Sequence, residues 1–191
     1  MIQTVIFDMD GVIVDTEPVH HYAYHQHFKQ LNIEVTTEMY ASFTGNSTRN
    51  IFQKLKAQFN LVEEVEDLIK DLHANGMQLI VASSASNVTI NRVFNRFNLH
   101  QYFTHIVSGE DFPKSKPHPA IFEHAASLSI APKENCIVIE DSTNGIQAAV
   151  SAGIFCVGYN SFHSKNQDLS KANVVIQHFN ELNFEKVRDL N

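Results

Sequence analysis

The sequence predicts an α/β fold, a Rossmann-like parallel β-sheet with helices on both faces. Short apolar runs rich in β-branched residues recur along the chain, and helix-like stretches separate them. Such alternation is typical of βαβ units, in which the strands run parallel. With 191 residues and 43% hydrophobic content, the chain can bury the core of one domain that carries an insertion.

The individual elements follow from their local patterns. The predicted strands are TVIF, QLIVASS, THIVSG, CIVIED and IFCVGY, with NVVIQ at residues 173–177 as a sixth candidate. The predicted helices lie at residues 87–97, 118–129, 143–152 and 180–188, and glycines that suit helix ends or turns stand at Gly76, Gly109 and Gly153. Ligands of open α/β sheets bind beyond the carboxyl ends of the strands, so we expect the functional site there.

One segment departs from this alternation. Residues 16–64 contain no convincing strand and hold at least two predicted helices, at 18–31 and 47–59. We therefore expect a small all-helical cap at 16–64, inserted after the first strand. The α/β core would then comprise residues 1–15 and 65–191.

Bulk properties exclude several functions. A formal net charge of −7 with a pI near 5.8 argues against a nucleic-acid partner. No apolar run is long enough to span a bilayer, and the first residues lack a signal-peptide pattern, so we expect a cytoplasmic protein and, by default, a monomer. Cys136 and Cys156 lie in strand-like runs without a C-x-x-C pair, which favours buried thiols.

Aspartates follow the first predicted strand directly, in the stretch FDMDG. Asp-Gly between two apolar runs is typical of a β-hairpin, and a hairpin would explain Asp10 and Gly11. It would leave Asp8 unexplained, because aspartate is depleted in strands and costly to bury unless it is paired or binds a metal.

Polar residues also end the second and fourth predicted strands, QLIVASS and CIVIED, at the same edge of the sheet, and Lys116 lies between them in KSKPHP. The candidate site residues are Asp8, Asp10, Ser83, Ser84, Lys116, Glu140 and Asp141. Each alone has an ordinary interpretation as a cap, a turn residue or an exposed charge. Together, however, several carboxylates cannot share a dry crevice without a cation, and their oxygens suit Mg²⁺.

These groups fit phosphoryl transfer. A carboxylate at a rigid strand end can attack phosphorus and form an aspartyl-phosphate, and a second carboxylate two residues later can move the proton of the leaving group. Magnesium, a lysine and hydroxyl groups would neutralise and hold the transferred group.

The motifs DMDGVIVD, VASS, SKPHP and IEDSTNGI together resemble those of the haloacid dehalogenase superfamily, in particular its β-phosphoglucomutase-like branch. The resemblance implies that Asp8 is the nucleophile and Asp10 the general acid and base. It implies phosphate binding by Ser83, Ser84 and Lys116. An acid at position 10 favours phosphate-ester chemistry, because the dehalogenases and transport ATPases of the superfamily lack one.

The same resemblance implies a magnesium site formed by Asp8, the backbone carbonyl of Asp10, Glu140 and Asp141. In the insertion, Thr16 and His20 match positions that connect cap closure to the acid and base in the mutases. TGNS at residues 44–47, with Gly45, resembles the substrate-specificity loop of the cap. The cap is shorter than usual in this branch, which predicts easier entry of water.

The expected function is therefore a Mg²⁺-dependent phosphatase that hydrolyses small phosphate monoesters, with sugar phosphates as candidates. The alternatives are a β-phosphoglucomutase and a non-catalytic phosphate-binding or scaffold protein. His21 and His25 have the i,i+4 spacing of a zinc pair, but the sequence shows no third ligand, which favours an exposed helix face.

Overall fold

The computed structural model describes residues 1–15, 60–160 and 167–190, which form a six-stranded parallel sheet. The strands are β1 Thr4–Phe7, β2 Gln78–Ser83, β3 His105–Ser108, β4 Cys136–Glu140, β5 Phe155–Tyr159 and β6 Val174–Ile176. Their order across the sheet is β3-β2-β1-β4-β5-β6. All six predicted strands and their parallel pairing are thus confirmed.

The α-helices of the described residues are α1 Val65–Ala74, α2 Asn87–Arg96, α3 Ala120–Ser127, α4 Thr143–Ser151 and α5 Phe184–Arg188. Three of them begin at a side-chain N-cap, which satisfies a backbone N–H that has no partner within the helix. Ser86 caps α2, Ser142 caps α4 and Asn183 caps α5. The four helices predicted at 87–97, 118–129, 143–152 and 180–188 are confirmed, with boundaries that differ by a few residues.

Both faces of the sheet are buried, as the near-continuous apolar composition of its strands requires. On one face, Ile6 of β1 belongs to a buried cluster with Phe122 of α3 and Ile146 of α4. On the other, the ring of Phe7 meets the ring of Phe103 at a centroid distance of 5.8 Å. Neighbouring residues of β1 therefore point into two separate layers of the core, which holds this central strand rigidly.

The strand order determines where the functional side chains meet. Phe7, the last residue of β1, pairs with Val81 of β2 on one side and with Ile139 of β4 on the other. The residues that follow these positions therefore lie side by side at one edge. β2 lies on one side of β1 in the sheet, and β4 lies on the other. The direction of the strand order changes here, so this edge also contains the topological switch point.

The chain after β1 does not form a β-hairpin. Gly11 adopts a positive φ of 77°, and its N–H donates to the carbonyl of Val14. Val14 in turn bridges Leu61, and the N–H of Val62 donates to the carbonyl of Ile13. The outgoing and returning chains are thus joined to each other at the edge of the core.

The chain divides into two compact units, Met1–Val14 with Leu61–Asn191 and Asp15–Asn60. The first unit contains the sheet, and nearly all of the second lies outside the described residues. The cap boundaries expected from the sequence stay a prediction, as do the cap helices. No helix in the described part of the chain has the length and apolar composition needed to cross a membrane.

Candidate functional site

Charged side chains converge at the carboxyl ends of β1 and β4, the two central strands of the sheet. Asp8 follows β1 directly, Glu140 is the last residue of β4, and Asp141 comes next. All three are buried, with 7%, 1% and 6% of their surface exposed. One carboxylate oxygen from each lies within 4.8 Å of the others.

Lys116 reaches into this group from the segment that precedes α3. Its Nζ lies 2.5 Å from Asp8 Oδ1 and 2.8 Å from Glu140 Oε1, and it donates to the carbonyl of Ala82 at 3.2 Å. The ammonium also stands 4.6 Å from the ring centroid of Phe122, a cation–π distance. The lysine side chain is only 6% exposed, so these contacts replace its hydration.

Among the residues that the structure describes, the charges of this group do not balance. Burial raises the pKa of the Asp8 carboxyl well above its usual range; Lys116 opposes this, and the nearby acids Glu140, Asp10 and Asp141 raise the pKa further. Burial alone would lower the pKa of Lys116, but Asp8 and Glu140 raise it. We conclude that the lysine is charged and that one ammonium faces more carboxylates than it can neutralise.

The donor set fits a hard divalent cation. Asp8, Glu140 and Asp141 offer carboxylate oxygens close enough together to share one ion. Oxygen ligands of this kind are typical of Mg²⁺ sites in proteins. A cation among them would add positive charge beside the buried carboxylates.

Two glycines provide the space in which Glu140 and Asp141 lie. A Cβ added to Gly145 in α4 would lie 1.7 Å from Glu140 Oε1, and one added to Gly11 would lie 2.2 Å from Asp141 Oδ2. Ser142 also holds Glu140, because its backbone N–H and its hydroxyl both donate to Glu140 Oε2 at 2.9 Å. Glu140 therefore has a fixed position in the site.

A second part of the site is the loop after β2. The hydroxyl of Ser83 donates to Asp10 Oδ2 at 3.3 Å and accepts from the N–H of Ala85 at 3.0 Å. Ser108, at the end of β3, donates to the carbonyl of Ala85 at 2.7 Å. Ser84 lies exposed at this edge of the sheet. The hydroxyl and backbone groups of this loop could hold the oxygens of an anionic ligand.

The structure thus brings most of the predicted site residues to one edge of the sheet. They are Asp8, Asp10, Ser83, Ser84, Lys116, Glu140 and Asp141. Thr16, His20 and Gly45 lie outside the described residues, and their roles stay predictions. The zinc alternative at His21 and His25 also falls there.

Sequence reasoning missed the residues that support this group. Gly145 and Ser108 were not among the predicted site residues, although Gly145 lies against Glu140 and Ser108 holds Ala85 in the loop that carries Ser83 and Ser84. The available signal was a small residue close to each strand end, and Ser142 directly after the acidic pair fits the pattern of a helix N-cap. Phe122, whose ring faces the Lys116 ammonium, was also not predicted.

Comparisons with known proteins agree with this geometry. The model of the haloacid dehalogenase-like hydrolase family matches residues 2–153. The chain is 27% identical over 190 residues to the phosphorylated carbohydrates phosphatase of Thermotoga maritima, and the match covers 86% of this chain and 87% of that protein.

Solved structures resemble the chain over almost its whole length. The crystal structure of β-phosphoglucomutase from Clostridium difficile has a TM-score of 0.78 and 28% identity, and the match covers 100% of this chain and 97% of that one. CbbY from Rhodobacter sphaeroides, crystallised with phosphate, has a TM-score of 0.76 and 25% identity, with 95% and 96% covered. With a family match that spans most of the sequence and a site of the expected composition, the chain belongs to the haloacid dehalogenase-like hydrolases.

Proposed function

We propose that the protein is a Mg²⁺-dependent phosphatase that hydrolyses small phosphate monoesters through an aspartyl-phosphate on Asp8. The observation that carries this proposal is the position of Asp8. Its carboxylate stands at the end of the central strand, 2.5 Å from the ammonium of Lys116 and beside Glu140 and Asp141. A carboxylate that only stabilised the fold would not need several further acids around it.

In the first half of the reaction, a carboxylate oxygen of Asp8 attacks phosphorus while the bond from phosphorus to the ester oxygen breaks. Asp10 donates a proton to the departing oxygen, which leaves as an alcohol. In the second half, Asp10 takes a proton from water, and this water attacks phosphorus while the bond from phosphorus to the Asp8 oxygen breaks. Inorganic phosphate leaves and the Asp8 carboxylate is restored.

The surrounding groups stabilise the transferred phosphoryl group. Lys116 is held by two carboxylates and a carbonyl, so its positive charge is already in place before the ester binds. Ser83 is fixed by Ala85 and Asp10, and with Ser84 it would hold phosphate oxygens. A bound Mg²⁺ would add charge neutralisation, with Asp8, Glu140, Asp141 and the backbone carbonyl of Asp10 as its expected ligands.

The relatives support phosphorylated small molecules as substrates. One is named a phosphorylated carbohydrates phosphatase, and CbbY was crystallised with phosphate. The Clostridium difficile relative is a β-phosphoglucomutase, which makes the mutase the second candidate. A cytoplasmic, monomeric enzyme and a shortened cap remain parts of this proposal.

The test is phosphorus NMR of the protein with Mg²⁺ and a panel of sugar and other small phosphate esters, beside Asp8→Asn. We expect release of inorganic phosphate by the wild type alone. Interconversion of β-glucose 1-phosphate and glucose 6-phosphate without free phosphate would support the mutase instead. Binding of a phosphate analogue without turnover of any ester would support a non-catalytic protein and overturn the proposal.

A further inference from the structure

We propose that Gly145 is a positioning residue, whose missing side chain leaves the space for the Glu140 carboxylate and thereby fixes the Lys116 ammonium beside Asp8. The predicted effect of Gly145 on turnover rests on the proposed function, whereas its effect on the positions of Glu140 and Lys116 does not. Gly145 is the third residue of α4, on the turn that follows the acidic pair.

The geometry leaves no room for a side chain at position 145. A Cβ there would lie 1.7 Å from Glu140 Oε1, 1.8 Å from Cδ and 2.3 Å from Oε2. Real contacts of a Cβ are essentially never below 3.0 Å, so one of the two groups must move. A flexible and exposed carboxylate would simply turn away.

Glu140 is neither flexible nor exposed. It is 1% exposed, and its Oε1 accepts from Lys116 at 2.8 Å. Its Oε2 accepts from the backbone N–H and the hydroxyl of Ser142. The same hydroxyl accepts from the N–H of Gly145, so Gly145 holds Ser142 in place as well as leaving space. Displacing the carboxylate would break these contacts, and Lys116 would lose one of its two carboxylate partners.

The backbone gives no reason for glycine at this position. The glycines with positive φ are Gly11, Gly76 and Gly153, and Gly145 is not among them. Inside a helix, glycine is less favourable than alanine because it loses more conformational freedom on folding. Helix stability alone would therefore favour alanine at position 145, and the carboxylate it faces is what requires glycine.

The experiment is a double-mutant cycle of Gly145→Ala and Glu140→Ala, because the two substitutions must be non-additive if one acts through the other. Three quantities are measured for each variant. They are the melting temperature, the ¹H–¹⁵N signal of the Lys116 ammonium in metal-free protein, and kcat for phosphate release with Mg²⁺. Gly76→Ala is the control, because its added Cβ meets nothing within 4 Å and only strains a positive φ.

We expect Gly145→Ala to lower the melting temperature by at least about 3 °C, to displace the Lys116 signal and to lower kcat at least tenfold. In the Glu140→Ala background, the same substitution should leave the melting temperature unchanged or raise it, because the methyl group enters the vacated space. Gly76→Ala should lose stability and keep both the Lys116 signal and kcat. If Gly145→Ala does not fold, recovery of folding in the double variant supports the proposal.

Equal destabilisation by Gly145→Ala in both backgrounds would overturn the proposal, as would a Lys116 signal and a kcat that stay at wild-type values. Failure to fold in both backgrounds would overturn it too. A wild type that releases no phosphate would contradict the proposed function alone, because the melting temperatures and the Lys116 signal would still test the role of Gly145.

Discussion

The two ends of the sheet bury polar side chains in opposite ways. At the amino ends, Gln78 Nε2 donates to Thr104 Oγ1 at 2.9 Å, and its Oε1 accepts from the N–H of Ile130 at 2.7 Å. The hydroxyls of Thr4 and Ser129 are 2.7 Å apart in the same network. Every one of these groups is neutral. At the carboxyl ends, the buried groups are charged, and several acids surround one lysine.

Burial is not what separates the two ends. Thr4 and Gln78 are 0% and 6% exposed, and Glu140 and Asp141 are 1% and 6% exposed. The difference is the kind of group, because the amino-end groups are neutral and bond to each other, whereas the described residues at the carboxyl end place one ammonium among several acids. We therefore expect the amino end to stabilise the fold and the carboxyl end to bind a ligand.

The largest effect should come from removing the positive charge of the carboxyl end. Lys116→Met would leave Asp8 and Glu140 without their ammonium, and breaking a buried ion pair in this way costs about 3–5 kcal/mol of stability. Activity should also fall below detection. Lys133→Met is the matched control, because among the described residues Lys133 Nζ donates to the carbonyl of Ala152 and to no carboxylate. Urea unfolding and phosphate release would show this difference, and similar losses for both variants would contradict it.

Magnesium should act only on the carboxyl end. A ligand at one hundred times its Kd stabilises the folded state by about 2.7 kcal/mol, which is roughly 5–10 °C in melting temperature for a chain of this size. We expect this increase in the wild type and a much smaller one in Asp141→Asn. Asp67→Asn, on the exposed side of α1, should respond as the wild type does. Thermal scans with Mg²⁺ and with EDTA give the answer, and an equal response of all three proteins would argue against the site.

Asp8→Asn should remove activity and yet stabilise the metal-free protein, because it removes one buried acid while Lys116 keeps Glu140 as its ion-pair partner. A carboxyl with a raised pKa in the folded state lowers stability as pH rises from its unfolded value through the folded one. The cost is about 1.4 kcal/mol for each unit of pKa elevation. Metal-free wild type should therefore lose stability across this window above the ordinary aspartate range, while Asp8→Asn should not. Urea titrations in EDTA at several pH values measure the difference, and parallel curves would refute the imbalance of charge.

The sequence was sufficient to predict most of the fold and which residues meet at the carboxyl ends of the strands, while their roles stay predictions. The apolar runs gave every strand of the described sheet, and the rule for carboxyl ends of parallel strands led from Asp8 to Glu140 and Asp141. These predictions succeed because strand periodicity and strand-end position are local properties. Lys116 was found through its motif, since no periodic pattern marks it.

The contacts that support the candidate site could not be predicted from the sequence. Gly145 faces Glu140 from the next helix, and Ser108 reaches Ala85 across 23 positions of the chain. Such contacts depend on side-chain rotamers and on the packing of neighbouring elements, which leave no repeating pattern in the sequence. The neutral network around Gln78 could not be predicted either, because threonine, glutamine and serine are common at strand ends and in loops.

The smallest expected effect comes from one serine at each end of the sheet. These two serines allow the most direct comparison of the two ends, because each makes two hydrogen bonds. Ser108 Oγ donates to Ala85 O at 2.7 Å and accepts from Glu110 N at 3.3 Å. Ser129 Oγ lies 2.7 Å from the Thr4 hydroxyl and accepts from Ala131 N at 2.9 Å.

Ser108→Ala and Ser129→Ala should each cost about 1 kcal/mol in urea unfolding, since each removes a similar set of neutral bonds. Only Ser108→Ala should raise KM or lower kcat, by a few-fold, because it releases the loop that carries Ser83 and Ser84. A fall in activity with Ser129→Ala as well would mean that the amino end also controls the site, and the division between the two ends would not hold.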